Sequence, residues 1–147
     1  MQVRDIMETN VKTVTPDTLV KDIALTMVME RISGAPVVDE HKNLVGIISE
    51  KDILKHMFPN LNDLIDGVAP NFEEMEQNYN DTMNCYVKDL MTKNVASVTE
   101  NIPILKAASM MWLKNFRRIP VANNEGKLLG IVSIGDVHRS IFKDRMK

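Results

Sequence analysis

The sequence predicts an α/β fold made of two copies of one β-α-β-β-α unit, related by a pseudo-twofold axis, with an acidic helical insert between them. Three observations carry this. The chain repeats itself without a gap at an offset of 84 positions: Val3, Asp5, Met7, Val14 and Thr15 recur as Val87, Asp89, Met91, Val98 and Thr99. Further on, Pro36, Val37, Gly46, Ser49 and Asp52 recur as Pro120, Val121, Gly130, Ser133 and Asp136. A constant offset of this kind marks two copies of one folded unit. Apolar residues then fall at helical spacing in matching places, and the near-continuous apolar runs at 44–48 and 128–132 fit strands covered on both faces.

Each copy is justified element by element in the same order. A short amphipathic lead, 3–7 and 87–91, runs into an extended piece at 10–15 and 94–99. Pro16 and Pro103 then break the strand or open the helix, since proline fixes φ and lacks an N–H. A helix at 18–32 sets Leu19, Ile23 and Met27, with Val20 and Ala24 alongside, on one face. Its partner at 104–116 sets Leu105, Ala108, Met111 and Trp112 likewise. Two strands follow, 35–38 with 44–48 and 119–122 with 128–132, joined by polar turns at 39–43 and 123–127. A last helix starts at Ser49 or Ser133. Each copy is thus expected to be a small three-stranded sheet with two helices, the first repeat over 1–58 and the second over 87–147.

The segment 59–86 has no counterpart. Asn71 followed by Glu74 is a capping-box pattern, and Phe72, Met75, Tyr79 and Met83 fall at helical spacing behind it. An amphipathic helix is predicted that covers part of the module or docks a basic partner. Asp63, Asp66, Glu73, Glu74, Glu76 and Asp81 give the insert a charge of −6 with no Lys or Arg. Against a net charge of −2, the rest of the chain carries +4 and ends on Arg139, Lys143, Arg145 and Lys147.

Composition narrows the function. Hydrophobic content of 44% and charged content of 26% are those of an ordinary globular domain. The small net charge offers no general attraction to nucleic acid or to an anionic membrane. No apolar run reaches membrane-span length and no signal-peptide pattern opens the chain. With a single cysteine, Cys85, no internal disulfide forms, so a reducing cytoplasm is expected. His41, His56 and His138 lack metal-ligand spacing, and neither a nucleophile–base pair nor a phosphate-binding glycine loop stands out. No enzymatic activity, metal or covalent cofactor is expected.

The chemistry-bearing motif is the strand-to-helix corner, 46–52 and 130–136. A buried strand ends, Ser49 or Ser133 sits at the turn, and Asp52 or Asp136 follows in the first turn of the helix. Helix N-termini present free N–H groups that suit phosphate, and a carboxylate can accept from two ribose hydroxyls. The same Ser-x-x-Asp pattern is also a capping box, which needs no ligand. Duplication of the whole context, including the upstream Pro-Val strand, favours a binding role.

These residues resemble a tandem pair of cystathionine-β-synthase-type (CBS) domains, a Bateman module. The resemblance rests on Asp5-Ile6-Met7, Gly34-Ala35-Pro36-Val37-Val38 and Gly46-Ile47-Ile48-Ser49-Glu50-Lys51-Asp52. In the second copy it rests on Asp89-Leu90-Met91, Arg118-Ile119-Pro120-Val121 and Gly130-Ile131-Val132-Ser133-Ile134-Gly135-Asp136. It covers nearly everything outside 59–86. It implies a regulatory module that binds an adenosine compound (AMP, ADP, ATP or S-adenosylmethionine) in clefts between the copies, and signals to an effector protein in trans. Carried over, Ser133 and Asp136 would face Lys12, Ile32, Ser33 and Ala35, whereas Ser49, Lys51 and Asp52 would face Ala96, Phe116, Arg117 and Arg118. The second grouping gathers more cations and is expected to be the stronger site. The resemblance also implies a homodimer, with Met27, Met29, Met110, Met111 and Trp112 as candidate contacts. The contrasting expectation is a dimerisation or interaction platform with empty clefts and the acidic insert as its surface.

Overall fold

The computed structural model describes residues 1–58 and 61–147; Pro59 and Asn60, the first two positions of the expected insert, lie outside them. The elements run in order as a 3-10 turn at Val3–Asp5, α1 (Val20–Glu30), β1 (Gly34–Val38), β2 (Leu44–Ser49), α2 (Glu50–Leu54), α3 (Leu61–Ile65) and α4 (Phe72–Thr82). They continue as α5 (Val87–Leu90), α6 (Ile104–Lys114), β3 (Arg118–Ala122), β4 (Leu128–Ser133) and α7 (Ile134–Arg145). The duplication extends to backbone detail. Arg31 and its counterpart Asn115 both close their helices in the left-handed region, at φ 56° and 57°.

Each copy contains a two-stranded sheet, β1 with β2 and β3 with β4, rather than three strands. The expected first strand is reduced to one parallel bridge per copy, Val14 to Val37 and Val98 to Val121. The Val14 N–H donates to the Pro36 carbonyl at 3.1 Å and Val98 N–H to Pro120 at 3.0 Å. Pro36 and Pro120 have no N–H to extend the ladder back toward residues 12 and 96.

The chain forms two compact units that interleave the repeats. One comprises Met1–Lys12, Val38–Leu44 and Asn94–Lys147; the other comprises Thr13–Val37 and Val45–Lys93. The lead of each copy therefore packs with the body of the other. In the first unit Val3 N–H donates to the Ile102 carbonyl at 2.9 Å, and Glu8 bridges Ile131. In the second unit Val87 N–H donates to the Thr18 carbonyl at 2.8 Å, and Thr92 bridges Ile47. Glycine makes these approaches possible: a Cβ on Gly130 would lie 2.5 Å from the Glu8 carbonyl oxygen, and one on Gly46 would lie 2.9 Å from that of Thr92.

Each unit has its own core. Val3, Ile104, Ala107, Met111, Ile119, Val121 and Val132 form one, and Val20, Ile23, Met27, Val37, Ile48 and Val87 the other. The buried stripe of α6 is Ile104, Ala107 and Met111, so Leu105 and Trp112, expected on that face, are instead exposed at 60% and 81%. Burial is decided by which side of the helix meets the strands, and the apolar spacing of α6 admits either stripe. Met27 and Met111 are core residues at 4% and 0% exposure and unavailable to a partner, whereas Met29 is 74% exposed.

The insert helix forms as predicted, with the Asn71 side chain accepting from the Glu74 N–H at 3.1 Å. Met75, Tyr79 and Met83 are half-buried, Tyr79 and Met83 against the second core, while Phe72 points outward. The sequence reading did not separate α3, a five-residue helix at the start of the insert.

Candidate functional site

The two strand-to-helix corners are built alike. Ser49 caps α2 and Ser133 caps α7, each hydroxyl accepting the aspartate N–H three residues on, at 3.3 and 3.0 Å. Each aspartate carboxylate reaches back to the serine N–H at 2.9 Å. Both halves of the capping box are thus present in both copies, which supplies a structural reason for Ser-x-x-Asp. It does not use up the carboxylates.

The remaining capacity differs between corners. Asp52 Oδ2 accepts from the Ser49 N–H and, at 3.1 Å, from its hydroxyl, while Oδ1 accepts from the Thr92 hydroxyl at 3.3 Å. A carboxylate offers about four acceptor directions, so Asp52 retains one, on Oδ1. Asp136 Oδ2 accepts only the Ser133 N–H, and Oδ1 accepts Arg139 Nη2 at 2.8 Å. One acceptor direction remains on each oxygen, the arrangement that a vicinal diol needs.

Local pairing gives each corner backbone neighbours from its own copy. The antiparallel register of β3 and β4 sets Arg118 directly opposite Ser133, and the Ile134 N–H donates to the Arg117 carbonyl at 2.9 Å. Directly opposed residues project to the same face of a sheet. In the first copy the Glu50 N–H donates to the Ser33 carbonyl at 2.9 Å, so Ser33 adjoins Ser49 and Asp52 in the same way. Ala35 is buried, Ile32 half-buried against the second core, and Lys12 exposed. Ala96 packs on the first core, and Phe116 is 44% exposed.

A cavity of about 430 Å³ opens at the first corner, lined by Lys51, Asp52, Leu54, Lys55 and Phe58. Lys55 was not singled out from sequence, and Arg139, its counterpart 84 positions on, stood out only as part of the basic C-terminal face and not as a site residue. The signal was available in the repeat, which places a basic residue three positions after both aspartates. A second cavity of about 410 Å³ is lined by His56, Asn78, Asp81, Thr82, Cys85, Asp89 and Leu90, where the insert helix meets the first copy. Among the described residues no helix is long and apolar enough to cross a membrane.

A family model described as CBS domain matches residues 3–59 and 87–143. The protein MJ1426 of Methanocaldococcus jannaschii is 33% identical over 155 residues, covering 97% of this chain and 92% of MJ1426. The CBS domain-containing protein CBSX2 of Arabidopsis thaliana is 31% identical over 91% of this chain, which spans 60% of that protein's length. The crystal structure of CBSX2 superposes with a TM-score of 0.81 at 30% identity, covering 99% of this chain and 97% of that one. A structure of CBSX2 in complex with AMP superposes at 0.76 and 31% identity, covering 98% of both chains. The CBS domain pair of the protein MJ0100, solved with 5-methylthioadenosine and S-adenosyl-L-methionine, superposes at 0.71 and 25% identity, covering 98% of both chains.

Proposed function

Since this chain belongs to the CBS-domain family and carries two such domains in tandem, we propose that it is a regulatory module that binds an adenosine compound of the AMP, ADP, ATP or S-adenosylmethionine class. The observation that carries the reading is the Ser133 corner. Asp136 keeps an acceptor direction on each carboxylate oxygen for the ribose diol, and Arg118 stands across the ladder from Ser133. Guanidinium groups match phosphate oxygens in geometry and charge. The AMP complex of CBSX2 and the S-adenosylmethionine complex of MJ0100 support adenosine as the shared element.

The binding determinants we assign are Ser133, Asp136, Phe116, Arg117 and Arg118 at one corner, and Ser49, Lys51, Asp52, Ile32, Ser33 and Ala35 at the other. Lys12 and Ala96, equivalent positions in the two copies, complete the set. Binding favours one conformation of the module, and a partner protein reads the shift. The exposed apolar side chains Leu25, Val28 and Met29 of α1 and Leu105, Trp112 and Leu113 of α6 support a homodimer.

Thermal unfolding with AMP, ADP, ATP, adenosine and S-adenosylmethionine tests the reading. A ligand that binds the native state at a hundredfold its Kd adds about 2.7 kcal/mol of stability, a clear rise in Tm. No shift at millimolar concentration with any of the five sinks the proposal. One observation then favours a second reading, an interaction platform. Leu64, Ile65, Val68 and Phe72 of the insert are exposed at 46%, 73%, 55% and 72%, among its six acidic residues.

A further inference from the structure

The position held by Lys51 in the first copy is Gly135 in the second, so the Ser133 corner lacks a cation at that point in the sequence. The structure supplies one from elsewhere. Arg139, one helical turn further along α7, lays its guanidinium over Gly135. A Cβ built on that glycine would meet Nη1 at 3.1 Å and Nη2 at 3.5 Å. Side chains on a helix lean toward its N-terminus, which is why a residue at this position reaches back over the first turn. The same guanidinium donates from Nη2 to Asp136 Oδ1 at 2.8 Å. Two positions thus exchange roles between the copies. Where the first has a lysine at the corner, the second has a glycine that leaves room for an arginine. In the first copy, Lys55 occupies the position equivalent to Arg139 and lines the cavity with Lys51 and Asp52.

We propose that Arg139 is a charge-reading residue of the Ser133 corner beside Arg118, pairing with Asp136 in the structure and turning its guanidinium to the phosphate of a nucleotide whose ribose Asp136 accepts. This rests on the nucleotide reading given above and adds to Arg118 a second guanidinium that separates a nucleotide from a nucleoside. The geometry permits the exchange. The Arg139 side chain is 63% exposed and that of Asp136 26%, and an ion pair this open to water holds its partners weakly. Relinquishing Asp136 Oδ1 also clears a further acceptor direction on that oxygen for ribose, so phosphate capture and ribose capture reinforce each other. A neutral nucleoside recruits only the carboxylate and leaves Arg139 where it is.

The test uses the full chain carrying Asp52→Ala, so that the Ser133 corner is read alone, with AMP and adenosine titrated by calorimetry. Arg139→Gln should weaken AMP about ten- to a hundredfold while adenosine stays within about threefold, the loss expected for a charge-assisted hydrogen bond. Arg139→Lys, which keeps the charge but not the planar fork, should fall between parent and Arg139→Gln for AMP. Unchanged AMP affinity in Arg139→Gln, or equal losses for AMP and adenosine, overturns the role of Arg139 while leaving the nucleotide reading intact. If the chain without Asp52→Ala binds neither compound at millimolar concentration, the nucleotide reading fails and this inference with it; if only the Asp52→Ala chain fails to bind, the Ser133 corner is not a site and this inference alone is overturned. Melting temperatures within a few degrees across the series establish that the variants are folded; should Arg139→Gln unfold, the AMP-to-adenosine ratio in Arg139→Lys decides, and an unaltered ratio counts against the proposal.

Discussion

Arg118 and Ser133 stand directly opposite each other across the β3–β4 ladder. The resemblance implies a grouping of Arg118 with Ser49 and Asp52, in the other copy. Backbone pairing also gives it a neighbour within its own copy, and that neighbour is the cap of the helix whose carboxylate retains acceptor capacity on both oxygens.

A double-mutant cycle follows from this pairing. With AMP as ligand, Arg118→Ala and Asp136→Ala should be non-additive, with a coupling of about 0.5–3 kcal/mol, because both act on one bound molecule. Arg118→Ala and Asp52→Ala should add within about 0.5 kcal/mol. Calorimetry that finds the coupling with Asp52 and not with Asp136 would restore the crossed grouping.

The glycines at the exchanged leads give a second prediction. Gly130→Ala drives a methyl group into backbone, with the Glu8 carbonyl oxygen at 2.5 Å, whereas the nearest atom to a Cβ on Gly46 is the flexible end of Met91 at 2.7 Å. Overpacking against rigid atoms costs on the order of 1–3 kcal/mol. Gly130→Ala should therefore be the more damaging change in urea unfolding, although Thr92 at 2.9 Å keeps Gly46→Ala from being neutral. Equal midpoints for the two variants would contradict the close approach of the Glu8 backbone.

The polar turns predict a pH effect confined to one copy. Asp39 accepts the N–H groups of His41 and Asn43, both at 2.9 Å, and Asn123 accepts those of Glu125 and Lys127, both at 3.0 Å. The Asn43 N–H is the main cause holding the Asp39 carboxyl below its ordinary value of 3.8; the His41 N–H adds to it and partial burial opposes it. A depressed carboxyl contributes stability that is present above its unfolded pKa and lost as pH falls through the folded one. Asp39→Asn should remove that contribution to acid sensitivity below about pH 4 and leave the turn intact, since Asn123 already holds the equivalent turn as an amide. An NMR titration in which the Asp39 carboxyl shows an ordinary or raised pKa would sink the argument.

Trp112, 81% exposed on α6, tests the homodimer. A buried tryptophan anchor is worth about 2 kcal/mol or more, roughly thirtyfold in Kd. Trp112→Lys should shift sedimentation toward monomer without lowering the thermal stability of the isolated chain. Sedimentation identical to that of the parent would remove α6 from the contact.

Local chemistry made much of this molecule legible without a structure. The offset of 84 declared two copies, apolar runs declared the paired strands, and Asn71 with Glu74 declared α4, because each of these depends on residues near one another in sequence. The corner was legible for the same reason: Ser49 with Asp52 and Ser133 with Asp136 form capping boxes within one helical turn. Long-range packing decided the rest. Which stripe of α6 is buried depends on the strands it meets, so helical spacing alone does not say that Trp112 faces outward. The shortness of the first pairing depends in part on Pro36 and Pro120 lacking an N–H, and the exchanged leads depend on Gly46 and Gly130 admitting another segment's backbone. The sequence by itself determined that two serine-capped, acid-bearing corners exist. Only tertiary structure decided their surroundings, because strand register stands Arg118 opposite Ser133 and Arg139 reaches Asp136 through the tilt of a helical side chain over a glycine.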